Sequence, residues 1–158
     1  WGINLSARYD YARWLSVGGN FTYMDVRDNQ PTAIGSSMPN LGYGDRMPNI
    51  PYLFADGFVT LSWHNCGWRG NTLELTYDNQ YLHNFYYYSS RIGMNKGNYM
   101  VPTQLSHNIS LNYSIDRGKY NISVECRNLT NERLYDNFSL QKAGRAYYAK
   151  LRVAFGRK

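Results

Sequence analysis

The stretch Gln104-Leu-Ser-His-Asn-Ile-Ser-Leu-Asn-Tyr-Ser-Ile115 alternates without a break. Leu105, His107, Ile109, Leu111, Tyr113 and Ile115 fall on one face of an extended chain, and Gln104, Ser106, Asn108, Ser110, Asn112 and Ser114 on the other. A helix with about 3.6 residues per turn would mix these two sets. The next segment repeats the pattern, with Tyr120, Ile122, Val124 and Cys126 opposite Asn121, Ser123, Glu125 and Arg127. The last does so again, with Leu151, Val153 and Phe155 opposite Tyr148, Lys150 and Arg152.

Carried along the whole chain, the same period predicts seven strands at 2–9, 13–27, 51–66, 71–86, 101–115, 119–127 and 145–155. The connections alternate strictly in length. Short ones fall at Asp10-Tyr11-Ala12, Cys66-Gly67-Trp68-Arg69-Gly70 and Asp116-Arg117-Gly118, which carry the Asp and Gly that tight turns favour. Long ones cover 28–50, 87–100 and 128–144 and are rich in Asn, Gly, Ser and Pro. In an up-and-down sheet this puts short turns at one end and long loops at the other, the layout of a transmembrane β-barrel. A tilted spanning strand needs about 9 to 11 residues, whereas globular strands peak near 5 or 6. The fold class expected is therefore all-β: an antiparallel up-and-down transmembrane β-barrel, of which these seven strands are a fragment.

Aromatic residues and charges sort with that layout. Trp14 follows the first short turn, Trp63 precedes the second and Trp68 lies within it. Tyr52 and the run Tyr86, Tyr87 and Tyr88 border the long loops, so two aromatic girdles are expected. Arg8, Glu74, Asp78, Glu125, Arg127, Lys150 and Arg152 share the parity of the Asn, Ser and Thr face. That face would line a watery interior and the other would meet lipid, where Arg or Lys at mid-depth costs roughly 2 to 4 kcal/mol. Arg13 and Asp25 have the apolar parity, but both stand near strand ends, where the cost fades.

Composition excludes several alternatives. The chain has 158 residues, 16 Tyr, 4 Trp and 43% hydrophobic residues, which is not a disordered composition. No apolar run approaches the roughly 18 residues of a spanning helix, and no signal peptide opens the sequence. The net charge is +6, but the basic residues are scattered, so nucleic acid is not an expected partner. Cys66 and Cys126 lie at opposite predicted rims, so two free thiols are expected rather than a disulfide. His64, His83 and His107 are isolated from one another, and no H-E-x-x-H, P-loop or G-x-S-x-G occurs, so neither an enzyme nor a metal or other cofactor site is expected. Seven N-x-S/T triplets, starting at Asn4, Asn20, Asn108, Asn112, Asn121, Asn128 and Asn137, follow from a polar face of period two better than from glycosylation.

Seven strands cannot close an antiparallel barrel, so the chain is expected to be part of a larger one, with strands before Trp1. The segment Asn128-Leu-Thr-Asn-Glu-Arg-Leu-Tyr135-Asp-Asn-Phe-Ser-Leu-Gln141-Lys-Ala-Gly144-Arg145, followed by an alternating strand ending in Phe155, resembles the C-terminus of TonB-dependent outer-membrane receptors, especially those of Bacteroidetes. Arg46-Met-Pro48-Asn49-Ile-Pro51-Tyr52 resembles another recurrent stretch of the same group. The resemblance covers roughly residues 44 to 155. It departs from the family at Ala143, where proline is common before Gly-Arg, and at Gly156-Arg157-Lys158, which follow the terminal aromatic.

The resemblance implies a barrel of about 22 strands with a plugged lumen, of which residues 1–158 are the C-terminal part and from which the plug domain is absent. It implies active uptake of a scarce ligand such as a metal chelate, cofactor or glycan, in the outer membrane of a Gram-negative bacterium. The implied partners are outer-membrane lipid, the N-terminal plug and remaining strands, the TonB complex acting through the plug region, and the barrel-assembly machinery. Leu151, Val153 and Phe155 would be the assembly signal. Arg46, Arg91 and Lys96, in the long loops, are the candidates to steer an anionic ligand, with solvated loop charges as the plainer account. The competing functions are a passive porin or other non-transporting barrel, and a soluble all-β adhesin or carbohydrate-binding module.

Overall fold

The computed structural model of the chain describes residues 1–88, 99–137 and 139–155. The strands are β1 (Gly2–Tyr11), β2 (Leu15–Met24), β3 (Leu53–His64), β4 (Thr72–Leu82), β5 (Phe85–Tyr86), β6 (Met100–Val101), β7 (Gln104–Ile115), β8 (Tyr120–Arg127) and β9 (Ala146–Val153). Seven of them form one antiparallel sheet in the order β1-β2-β3-β4-β7-β8-β9, and β5 with β6 makes a separate two-stranded ribbon. The fold is all-β, with no helix among the described residues. Because successive strands alternate in direction, the short turns all fall at one end of the sheet and the long connections at the other. β1 and β9 run the same way, and each is paired on one side only among the described residues.

Register aligns the two faces across the whole sheet. Val17 stands opposite Val59, Val59 opposite Tyr77, Tyr77 opposite Ile109 and Ile109 opposite Cys126. A slip of one residue at any pair would send one strand's apolar row to the wrong side. The reverse face is knit by polar pairs: Thr60 Oγ1 and Thr76 Oγ1 are 3.0 Å apart, and Asn108 Nδ2 donates to Asp78 Oδ2 at 2.6 Å. On the apolar face His107 Nδ1 lies 2.6 Å from Tyr77 Oη, so the one imidazole in that row is satisfied by its neighbour.

Nothing among the described residues covers the apolar face. Leu111, near the middle of β7, is 38% exposed and Val124 on β8 is 50% exposed. Among the described residues the buried apolar side chains are Phe85, Val101 and Cys126. The accessible surface is 11644 Å², against roughly 8,200 Å² for a compact monomer of this mass. A soluble two-layer β protein would bury the row from Leu105 to Ile115; here none of its six members is buried.

The strands end sooner than the hydrophobic pattern predicts, most clearly where 71–86 and 101–115 were expected to run on. The β4 to β7 ladder stops at Leu82 opposite Gln104. The next rung would need an N–H from Pro102, which has none. Asn84 instead sends its amide to Thr103 Oγ1 at 3.2 Å, and the ribbon β5–β6 starts beyond this break. β9 stops at Val153 because its partner begins at Tyr120; one further bond, from the Ala154 amide to the Lys119 carbonyl at 2.8 Å, closes the ladder.

Candidate functional site

The long-connection end carries the most elaborate chemistry. Immediately after β2, Asp25 is buried and anchored by its own amide to the Trp1 carbonyl at 2.8 Å. Its carboxylate accepts Arg27 Nε at 2.7 Å and Arg46 Nε at 2.8 Å, one on each oxygen. Arg27 and Arg46 also face each other as a backbone bridge, so the 25–52 connection leaves the sheet as a narrow ribbon. Arg46 Nη2 donates to Tyr23 Oη at 3.1 Å, and the guanidinium carbon sits 3.8 Å from the Tyr52 ring centroid. The Arg27 and then the Arg46 hydrogen bonds hold the Asp25 carboxyl below the usual carboxylate range. Asp25 in turn raises Arg46. Further along, Asp28 accepts the Gln30 amide and Asn40 Nδ2, which depress its carboxyl also.

Tyr52 belongs to a row of rings along this rim. Trp1 and Tyr23 have centroids 5.3 Å apart, Tyr23 and Tyr52 6.2 Å, Tyr52 and His83 5.3 Å, and His83 and Tyr81 6.1 Å. At the opposite rim Trp14, Trp63 and Trp68 are all exposed beside the short turns. Between the 46–52 segment and the β5–β6 ribbon is a cavity of about 350 Å³, walled by Met47, Ile50, Tyr52, Phe85, Tyr86 and Met100, with Arg46 and Asn84 as its polar members.

A second arrangement covers the polar face. Asn108 Oδ1 accepts the Asn128 amide at 2.9 Å, and Gln104 Oε1 accepts the Tyr135 amide at 2.6 Å. Both acceptors stand on the polar face of β7, so the 128–145 connection folds back over that face. Exposure shows the asymmetry: Gln104 is 5% and Ser106 9% exposed, while Leu105 on the reverse is 40% exposed. The strap holds its own shape. Asn128 Oδ1 accepts the Glu132 amide at 2.8 Å, Lys142 donates its amide to the Leu134 carbonyl at 2.8 Å, and Asn131 Oδ1 accepts the Arg145 amide at 2.9 Å.

Of the residues singled out by sequence, Arg46 is held by Asp25, Tyr23 and Tyr52, so its fork is largely occupied within the chain. Arg91 and Lys96 lie outside the described residues. Leu151 and Val153 occupy the apolar face of β9, while Phe155 lies two residues beyond the strand and is exposed. Cys66, in a short turn, and Cys126, near the far end of β8, are both free thiols. His64, His83 and His107 are not brought together, and no group of three or more metal-binding side chains occurs among the described residues. Asp25 escaped sequence reasoning as a site residue because one of its two partners, Arg46, stands 21 positions away. Its wrong-face parity was the available signal. The chain matches no protein-family model, and no curated protein matches it.

Proposed function

We propose that this chain is a segment of a transmembrane β-barrel in the outer membrane of a Gram-negative bacterium, and that the barrel belongs to a TonB-dependent receptor importing a scarce ligand. The observation that carries the barrel is the apolar face: seven strands wide, half-buried to exposed with nothing among the described residues packed over it, and backed by a polar face. Hydrocarbon is the solvent in which such a face is stable. The distance between the rims agrees. Tyr52, immediately before β3, and Trp63 near its end are 11 positions apart, about 36 Å at roughly 3.3 Å per residue. Tilted by roughly 45°, that spans about 26 Å, close to the apolar band of about 25 Å in outer-membrane barrels.

Both sheet edges carry unpaired backbone groups, which in lipid cost several kcal/mol each, so further strands complete the wall. The receptor class is supported by the resemblance of residues 44–52 and 128–155 to that family, and its role is transport rather than catalysis. A porin is the competing barrel, and a plug domain encoded ahead of these strands distinguishes the two. Lack of a plug in the full-length gene would rule out the receptor.

The barrel itself is tested with single cysteines in the full-length protein, Cys66 and Cys126 having been replaced by Ser. Leu111→Cys and Ser110→Cys are labelled with a fluorophore and exposed to nitroxide lipids in vesicles. Quenching at Leu111→Cys and none at Ser110→Cys is the expected result. Equal quenching at the two neighbours defeats the membrane assignment.

A further inference from the structure

The charged cluster beyond β2 stands on one side of the wall. Asp25 and Arg27 continue the apolar parity of Phe21 and Tyr23, and Arg46 is drawn to the same side by Asp25 Oδ1, Tyr23 Oη and the Tyr52 ring. The backbone bridge between Arg27 and Arg46 sets their side chains together on one face of the 25–52 ribbon. Asp28 and Asp45 form the next rung, the Asp28 amide donating to the Asp45 carbonyl at 2.9 Å, and strand alternation sends their side chains to the other face. The Asp28 carboxylate is engaged there by Asn40 and the Gln30 amide. The side that continues the apolar wall therefore carries two guanidiniums against one carboxylate.

Both cations are held in place. The Asp25 side chain is 8% exposed and takes each Arg by its Nε, at 2.7 and 2.8 Å, while the Arg27 and Arg46 side chains remain 53% and 38% exposed. Arg27 Nη1 donates to the Gly44 carbonyl at 3.0 Å and Arg46 Nη2 to Tyr23 Oη at 3.1 Å. Arg27 Nη2 and Arg46 Nη1 have no hydrogen-bond partner among the described residues. One buried carboxylate thus fixes two part-exposed forks side by side, each with a donor to offer. On the sheet side of this pair runs the row Trp1, Tyr23, Tyr52, His83 and Tyr81. Such rings lie at headgroup level in a barrel wall, so cations just beyond them meet the phosphate layer.

We infer that Arg27 and Arg46 form a docking site for the headgroup of a phosphorylated lipid in the leaflet at the long-connection end. The inference deepens the membrane reading and rests on it for the side that meets lipid. Guanidinium N–H donors match phosphate oxygens in geometry and charge. Because Asp25 already orders both side chains, a lipid phosphate binds without having to immobilise them itself.

The test uses the full-length protein, stripped of lipid in a neutral detergent and titrated in mixed micelles with lipid A, with dephosphorylated lipid A as control. Lipid A is expected to bind, and the dephosphorylated form about tenfold more weakly, as the loss of charge-assisted hydrogen bonds implies. Arg27→Gln combined with Arg46→Gln should weaken lipid A binding by about the same factor. Arg27→Gln alone, at the more exposed of the two positions, should lose about threefold, which keeps the question answerable if the double variant does not fold. Arg127→Gln, on the polar face, should change nothing, and inorganic phosphate in large excess should not displace the lipid. Equal binding of the two lipid forms, native affinity in the folded variants, or displacement by inorganic phosphate overturns the inference. The nitroxide quenching pattern is read separately. A failed pattern removes the membrane reading and the lipid with it; a correct pattern without phosphate-dependent binding removes the headgroup site alone.

Discussion

Asn131 and Gly144 approach so closely that a methyl group at Gly144 would stand 2.7 Å from Asn131 Oδ1, the oxygen that accepts the Arg145 amide. Gly144→Ala must therefore push the Asn131 carboxamide aside and break that bond, at about 1 kcal/mol. The Arg145 amide should then exchange with solvent about fivefold faster. In an Asn131→Ala background the same substitution should have little further effect, since the two residues act through one contact. Equal acceleration in both backgrounds would show that Gly144 is not fitted to Asn131.

The two faces of β7 predict opposite responses to one substitution. Leu111→Arg places a cation on the apolar face at mid-strand and should destabilise the protein in lipid vesicles by roughly 2 to 4 kcal/mol. Ser110→Arg, one position earlier on the polar face, should cost far less. Denaturant unfolding from vesicles measures both, and comparable losses would contradict the face assignment.

Acid should act through Asp25. Its carboxyl is depressed in the folded protein, so its contribution is fully present above the unfolded value of about 3.9 and is lost as pH falls through the lower folded value. Asp25→Asn should reduce stability at neutral pH and flatten the decline below about pH 4. Comparing unfolding midpoints of the two proteins from pH 7 down to pH 2 isolates Asp25 from Asp28, which titrates in both. Parallel curves would mean that the Arg27 and Arg46 contacts do not hold in solution.

Tyr77 and His107 satisfy each other on the apolar face. Tyr77→Phe leaves the imidazole without its partner and should cost about 1 kcal/mol, whereas Tyr77→Phe with His107→Leu should recover most of the loss. A double-mutant cycle on unfolding free energies decides this, and simple additivity would deny the pairing.

The main sheet was legible because period-two alternation needs no tertiary information. β7 reads directly from its Leu, Ile and Ser positions, and the turn residues fix the order of its neighbours. What escaped depends on contacts between distant positions. The break at Pro102 becomes visible only once Asn84 is known to be the opposing residue. The ribbon β5–β6 offers two residues per strand, too few for any period. The candidate site divides the same way: Arg46 was recognisable as a loop cation, but its capture by Asp25 requires knowing how the 25–52 connection folds. Nothing in the strap sequence announces that Gln104 and Asn108 draw it across the polar face, because their side chains serve equally well as ordinary members of an alternating strand.

The common direction of β1 and β9 limits how this sheet could be made self-contained. Butting its two margins together would demand a parallel seam in an otherwise antiparallel wall. A miniature cylinder built from this sequence must therefore gain or lose an odd number of staves before its margins can be zipped. The most economical design grafts a single hairpin arm onto the Ala146–Val153 side and leaves the strap in place.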